Sequence, residues 1–181
     1  MNKKRWFLLS LVLVFVLGLV ACQGQDEGAY HMGEDLFVVQ VDEGQTLLTV
    51  KEEGGTAPVP GNLYAFEVDQ VALSYPGQAW VDKMEDLGPG SGYVINTDLA
   101  QEIKDLLRDQ VQLVDVREPQ EYEEGHLEGA INIPLGSLAS LEAPKDGLVV
   151  VYCRSGRRSA QAVKELMDLG YTNVLDAGGI Q

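Results

Sequence analysis

The sequence has few cysteines, few histidines and few basic residues. It contains two cysteines and two histidines in 181 residues, and none of them lies in a C-x-x-C pair or in a Cys/His cluster with metal-ligand spacing. A structural zinc site is therefore not expected, and no metal or cofactor is predicted. Acidic residues outnumber basic ones by 28 to 13, for a formal net charge of −15. Nucleic acid is not expected as a partner, because an acidic surface repels a polyanion.

The N-terminal segment has the pattern of an export signal. Basic residues at positions 3–5 precede an apolar run over residues 6–21. This run is shorter than a typical transmembrane helix. The run ends in Leu-Val-Ala-Cys at residues 19–22, which resembles the bacterial lipobox, whose cysteine is acylated and becomes the new N-terminus. Residues 1–21 are thus interpreted as a lipoprotein signal peptide, and Cys22 as a lipid (palmitate) anchor on the extracytoplasmic face of the cell membrane. An uncleaved signal anchor is the alternative.

The next part of the chain is predicted to be a small β domain. Residues 22–35 are polar and are interpreted as a lipidated tether. Short β-type runs with turn signals between them predict a small, largely antiparallel β domain over residues 36–90, with strands at 36–41, 46–50, 63–68 and 71–73. The stretch at 74–79 resembles a motif of small OB-like barrel domains in secreted bacterial lipoproteins. Residues 85–92 have the composition of a linker, so a domain boundary is expected near residue 90.

After the linker the apolar period changes from two to about 3.6. Leu99, Ile103, Leu106 and Leu107 form one helix face, with residue 97 or 98 as the N-cap. Buried-type strands are predicted at 111–116, 148–152 and 173–175, and a second helix at 160–169. Strands that alternate with helices indicate a parallel α/β sheet flanked by helices over residues 96–181.

The loop after the predicted strand 148–152 is the candidate chemical site. It places Cys153 at the carboxyl end of a strand, where open parallel sheets bind ligands, and a helix begins within a few residues. A helix N-terminus, backbone N–H groups and nearby arginines favour a thiolate, and the same groups would hold an oxyanion. The residues predicted to form this cradle are Arg154, Ser155, Gly156, Arg157, Arg158 and Ser159. The alternatives are a small buried core cysteine and a solvated basic patch.

The length of this loop distinguishes sulfur transfer from phosphate or arsenate chemistry. Cysteine phosphatases and arsenate reductases of related design use Cys-x5-Arg, whose wider loop fits a tetrahedral phosphate or arsenate. Here the fifth residue after Cys153 is Arg158 and the sixth is Ser159, so the loop is one residue shorter. The shorter loop favours sulfur transfer over phosphate or arsenate chemistry.

Three sequence blocks together resemble a rhodanese domain of the small single-domain thiosulfate sulfurtransferase type. They are Leu-Val-Asp-Val-Arg-Glu at 113–118, Glu-Tyr-Glu-Glu-Gly-His-Leu-Glu-Gly-Ala-Ile-Asn-Ile-Pro at 121–134, and the loop that begins at Cys153. The resemblance implies that Cys153 forms a persulfide, that the loop amides hold the sulfur, and that Asp115 and Arg117 brace neighbouring loops. It also implies that His126 belongs to a packed turn and is not a general base.

Two further expectations accompany the resemblance. Glu121 and Glu128 are expected to be solvated or paired with arginine. The family usually continues past Gly-Gly-Ile at 178–180 into a closing helix, whereas this sequence stops at Gln181, so altered packing beside the loop is expected.

The predicted function is a ping-pong transfer of sulfane sulfur. The Cys153 thiolate attacks the outer sulfur of thiosulfate or a similar small sulfur-containing anion, Arg154, Arg157 and Arg158 stabilise the departing anion, and a thiol acceptor removes the sulfur. The alternative is a non-catalytic rhodanese-like binding module on the cell envelope, with the β domain providing specificity for a partner.

Overall fold

The structure is a computed structural model, which describes residues 29–33, 35–41, 44–52, 57–72, 74 and 76–180. The predicted signal peptide and the predicted lipidation site Cys22 lie outside the described residues, as does Gln181. None of the helices in the described part of the chain combines the length and the apolar character that a membrane crossing requires.

The N-terminal part of the described chain is a closed barrel of five strands in the order β1-β2-β3-β5-β4. Pairing of β1 with β4 closes the barrel, and the pairs are antiparallel except β3 with β5, which is parallel. The strands are β1 (Ala29–Gly33), β2 (Leu36–Val41), β3 (Gly44–Glu52), β4 (Asn62–Ala72) and β5 (Gly77–Pro89). Closure removes exposed sheet edges and surrounds a core that includes Phe37, Val50, Tyr64 and Ala79.

Three boundaries of the β domain differ from the prediction. The tether prediction is wrong for Ala29–Gly33, which forms β1, and residues 29–32 are buried because they close the barrel. The runs predicted at 63–68 and from residue 71 onward are parts of one strand, β4 (Asn62–Ala72), whose register shifts absorb the irregular pattern, and Leu73 lies outside the described residues. The linker prediction is wrong for residues 85–89, which continue β5 because they pair with β4.

The C-terminal part is a five-stranded sheet in the order β6-β10-β9-β7-β8, with every neighbouring pair parallel. This confirms the predicted parallel α/β architecture. Its strands are β6 (Tyr93–Val94), β7 (Val111–Asp115), β8 (Ile131–Asn132), β9 (Leu148–Cys153) and β10 (Val174–Gly179), and its helices are α1 (Thr97–Leu107), α2 (Pro119–Glu124) and α3 (Arg157–Asp168).

Helices cover both faces of this sheet. Leu99 and Ile103 of α1 pack in one core cluster, and Ala162 and Leu166 of α3 pack in another. All six residues of β9 are buried, as expected for a central parallel strand covered on both sides. The N-cap of α1 is Asn96, one residue before the predicted range, because its side chain accepts a hydrogen bond from Leu99 N at 2.8 Å.

The barrel packs against the amino ends of β9 and β10. The Tyr30 hydroxyl donates to Asn173 Oδ1 at 2.8 Å, and Asn173 Nδ2 donates to the carbonyl of Met32 at 2.9 Å. Gly61 lies so close to Thr172 that a Cβ there would be 2.2 Å from its carbonyl oxygen. Barrel residues and sheet residues also share one core cluster. The barrel and the sheet are therefore joined by a buried, hydrogen-bonded interface.

Candidate active site

The loop between β9 and α3 begins at Cys153 and turns at Gly156. Gly156 has φ 85°, a left-handed conformation that glycine adopts without steric cost, and it directly precedes Arg157 at the start of α3. The turn folds the loop back over the Cys153 sulfur. The sequence therefore positions the thiol at the carboxyl edge of the sheet and at the N-terminus of a 12-residue helix.

Hydrogen-bond donors surround the Cys153 sulfur. The residue is fully buried, its Sγ accepts a hydrogen bond from Gly156 N at 3.2 Å, and it lies 3.8 Å from Ser159 Oγ. Burial alone would raise the pKa of this thiol. Hydrogen bonds from the backbone at Ser155, Ser159 and Arg158 and from the Ser159 hydroxyl outweigh burial and bring the pKa below the usual value. The loop can thus stabilise a thiolate, which is the nucleophilic form of cysteine.

The end of β10 forms a wall against the loop. Ile180 N donates to the Cys153 carbonyl at 2.8 Å. A Cβ on Gly179 would lie 2.8 Å from both the Arg154 carbonyl oxygen and Ser155 Cα, so this approach requires glycine. The sequence prediction did not include Gly179 in the site. The adjacent glycines at 178 and 179 were the available signal, because paired glycines often mark a close approach of two backbone segments.

The three loop arginines do not share one environment. Arg154 and Arg157 are exposed. Arg158 makes a bidentate ion pair with Glu121 of α2, with nitrogen–oxygen distances of 2.6 and 2.8 Å. Hydrogen bonds from Arg158 lower the pKa of Glu121 to about 2. Glu121 raises the pKa of Arg158, and the Cys153 sulfur adds a smaller contribution in the same direction. The guanidinium of Arg158 therefore connects the Glu121 carboxylate to the site of the thiol.

Asp115 and Arg117 form a buried ion pair behind the loop. Arg117 Nε lies 2.9 Å from each carboxylate oxygen of Asp115, and its Nη2 lies 2.6 Å from Oδ2. The same Nη2 donates to the Gly125 carbonyl at 2.6 Å, and Asn132 Nδ2 donates to the carbonyls of Asp115 and Arg117. This network connects the end of β7 to the turn after α2.

His126 lies in that turn and is exposed. Its ring stacks on Tyr122, with centroids 3.7 Å apart, and its Nδ1 lies 2.9 Å from the Tyr122 carbonyl oxygen. The Tyr122 hydroxyl donates to the Ala130 carbonyl at 2.6 Å. These contacts are those of a residue that holds the turn together.

Comparison with known proteins identifies the C-terminal domain. A family model for the rhodanese-like domain matches residues 99–181. The thiosulfate sulfurtransferase PspE of Escherichia coli is 44% identical over 72 residues, which are 38% of this chain and 69% of that protein. This chain belongs to the rhodanese-like family. A sulfurtransferase of Allochromatium vinosum is 42% identical over 83 residues, which are 45% of this chain and 76% of that protein.

The relatives resemble only part of the chain. A solved structure of a human single-domain sulfurtransferase is 28% identical, covers 49% of this chain and 90% of that chain, and superposes with a TM-score of 0.40. The family match begins at residue 99, so the β-barrel lies outside it.

Proposed function

We propose that this chain is a membrane-anchored, extracytoplasmic sulfurtransferase that moves sulfane sulfur from thiosulfate or a similar donor to a thiophilic acceptor. The observation that carries this proposal is the Cys153 sulfur held by Gly156 N at 3.2 Å, at the N-terminus of α3. The lowered pKa of the thiol supports it, and so do two sequence relatives that are named as sulfurtransferases.

The reaction has two half-reactions that pass through a persulfide. The Cys153 thiolate attacks the outer sulfur of the donor, the donor S–S bond breaks, and with thiosulfate the electron pair leaves on sulfite. The donors of residues 154–159 hold the transferred sulfur, and the positive charges of Arg154, Arg157 and Arg158 stabilise the departing anion. A thiol or cyanide then attacks the outer sulfur of the persulfide and restores the Cys153 thiolate.

Asp115 and Arg117 act in this proposal as positioning residues. Their buried ion pair and the hydrogen bond from Arg117 to Gly125 hold the turn after α2. That turn follows the helix that carries Glu121, the partner of Arg158. A rigid support of this kind keeps the loop groups in the geometry that catalysis needs.

The decisive experiment compares the wild type with Cys153→Ser. Purified protein is incubated with thiosulfate and cyanide, and thiocyanate release is measured. We expect release that depends on Cys153 and a Cys153→Ser variant that keeps its far-ultraviolet circular dichroism spectrum. Equal, cysteine-independent release by both proteins, or none from a folded and reduced wild type, would contradict the proposal. In the second case a non-catalytic binding module becomes the better interpretation.

The anchoring part of the proposal depends on the sequence before the barrel. The basic residues 3–5, the apolar run 6–21 and the lipobox-like stretch 19–22 support acylation at Cys22 and export to the outer side of the membrane. Metabolic labelling with a palmitate analogue tests this. We expect label on the wild type and none on Cys22→Ala. Equal labelling of the two proteins would refute Cys22 as the anchor.

The barrel is proposed to be an OB-like domain. Its support is the closed order β1-β2-β3-β5-β4 with the parallel pair β3–β5, together with the motif at residues 74–79. This assignment concerns architecture and implies no ligand.

A further inference from the structure

The parallel pairing of β9 with β10 is interrupted beside the nucleophile. Asp176 pairs with Val151 and Gly179 pairs with Cys153, so the register advances three residues on β10 for two on β9. One extra residue on one strand is the arrangement of a β-bulge, which bends the strand and changes the direction of its groups. The bulge, residues 176–179, therefore lies next to the end of β9 that carries the reactive sulfur.

The side chain of Asp176 holds this bulge. Its Oδ1 accepts a hydrogen bond at 2.9 Å from the N–H of Gly178, which has a left-handed φ of 68°. Aspartate commonly makes this bond to the N–H two residues later, in place of a regular backbone partner. Asp176 is 6% exposed, and its own carbonyl accepts from Ile95 N at 2.8 Å, so the residue that stabilises the bulge is itself fixed.

The bulge and the residue after it contact the catalytic loop at three points. All three contacts involve residues that follow Asp176 within four positions. They are the approach of Ser159 Oγ to the Gly178 carbonyl oxygen (3.3 Å), the hydrogen bond from Ile180 N to the Cys153 carbonyl (2.8 Å), and the packing of Gly179 against the Arg154 carbonyl. The position of the loop over β9 thus depends on the turn that Asp176 stabilises.

We infer that Asp176 is a positioning residue for the reaction of Cys153, because its hydrogen bond to Gly178 N holds the bulge against which the catalytic loop packs. The inference rests on the proposed sulfurtransferase function and adds a residue to its site. Asp176 acts through the backbone of Gly178 and not as an acid or a base. Without this bond the loop shifts, and the groups that stabilise the thiolate lose their geometry.

Charge and positioning predict opposite effects on the thiol. If Asp176 acted by its charge, removing the carboxylate would lower the pKa of Cys153, because a like charge disfavours the thiolate. Loss of the bulge instead weakens the hydrogen bonds from the loop backbone and from Ser159 that lower this pKa, so the pKa rises. The other charged groups around the loop are unchanged in either case, namely the ion pairs Arg158–Glu121 and Arg117–Asp115 and the exposed Arg154 and Arg157.

Two substitutions separate the charge of Asp176 from its hydrogen bond. Asp176→Asn removes the negative charge but keeps a side-chain oxygen that can accept from Gly178 N. Asp176→Ala removes both. Tyr30→Phe is the matched control for a general loss of stability, because it removes a buried hydrogen bond to Asn173, directly before the amino end of β10.

The test measures alkylation of Cys153 by iodoacetamide as a function of pH, followed on its peptide by mass spectrometry after reaction of the full chain. In Asp176→Ala we expect the midpoint to rise by about one pH unit, which corresponds to one weakened hydrogen bond to a charged group. Sulfur loading from thiosulfate, measured below the wild-type midpoint, should slow on the order of tenfold, because less thiolate is present. Asp176→Asn and Tyr30→Phe should keep the midpoint within about a third of a unit.

Several outcomes would overturn the inference. An unchanged midpoint in Asp176→Ala is one, and a downward shift shared by Asp176→Ala and Asp176→Asn is another, because it indicates a charge effect. An equal upward shift in Tyr30→Phe would attribute the effect to lowered stability. If Asp176→Ala does not fold, Asp176→Ser replaces it. Its hydroxyl makes the same bond more weakly, so a smaller upward shift is expected, and an unshifted or lowered midpoint contradicts the inference.

The alkylation midpoint does not depend on sulfur transfer. A wild type that transfers no sulfur, together with an upward shift in Asp176→Ala, would refute the proposed function and support the role of Asp176. A wild type that transfers sulfur, together with an unshifted Asp176→Ala, would do the reverse. The two failures are therefore distinguishable.

Discussion

Replacing Asp115 by Asn tests whether the buried ion pair supports the fold around the active site. The Asp115 carboxylate is fully buried, and the Arg117 side chain is 8% exposed. The carboxylate accepts four hydrogen bonds from Arg117, one of them from its backbone N–H at 2.9 Å. Asparagine has nearly the same shape but leaves the guanidinium charge without a counter-ion.

The expected loss follows from that uncompensated charge. Removing one partner of a buried ion pair costs about 3–5 kcal/mol, whereas an exposed pair is worth about 1 kcal/mol or less. For a protein of this size each kcal/mol corresponds to about 2–4 °C, so the melting temperature should fall by about 6–20 °C. Glu124→Gln, at an exposed position, should change it by about 1–2 °C at most.

Urea unfolding followed by circular dichroism is the assay, combined with a double-mutant cycle. Asp115→Asn and Arg117→Met are measured alone and together. Because each single variant leaves one polar partner stranded, the double variant should lose clearly less stability than the sum of the two. A loss below about 1 kcal/mol for Asp115→Asn, or simple additivity in the cycle, would refute the reasoning that the pair acts as a buried, coupled unit.

Three further predictions concern the interface, the thiol and the loop. Tyr30→Phe removes the hydroxyl that donates to Asn173 Oδ1 at 2.8 Å, and urea unfolding should show a loss of about 1–3 kcal/mol; no loss would mean that this bond does not stabilise the interface. Ser159→Ala removes hydrogen bonding that lowers the pKa of Cys153, so the pH midpoint of alkylation by iodoacetamide should move upward, and an unchanged midpoint would contradict that role. Glu121 has its pKa lowered from 4.5 to about 2, so its stabilising contribution is present above pH 4.5 and is lost as the pH falls toward 2. Thermal unfolding of wild type and Glu121→Gln over this range should therefore converge at low pH.

The C-terminal fold was predictable because its signals are local. The apolar period of α1, the buried-type strands β7 and β9, and Gly170 after α3 can each be identified within a short window of sequence. The loop was predictable for the same reason, since the chemistry of Cys153 depends on residues that follow it directly. Predicted and observed ends of these elements differ by three residues at most, except for the end of β10, which continues to Gly179.

The ends of the barrel and the Glu121–Arg158 ion pair were not predictable in this way because they depend on partners that are distant in sequence. Residues 29–33 become a strand only through pairing with β2 and β4, and residues 85–89 only through pairing with β4. The composition of either segment alone indicates a tether or a linker. Arg158 pairs with Glu121 and not with one of the neighbouring glutamates, and the two residues are 37 positions apart in the sequence. From the sequence, the partner of Glu121 could be predicted only as an arginine, and not as Arg158 in particular.

The position of the barrel bears on its role in the proposed function. It contacts the amino ends of β9 and β10, around Asn173, whereas Cys153 lies at the carboxyl end of β9. A six-residue strand separates its two ends by roughly 17 Å. A cleft of about 490 Å³ between barrel and sheet, lined in part by Met32, Gln110 and Gly147, lies at the same amino-end side. These barrel contacts, together with the hydrogen bond from Gln45 Nε2 to the Val94 carbonyl, involve none of the loop residues 153–159, so we expect donor choice to come from the loop, from α2 and from the end of β10.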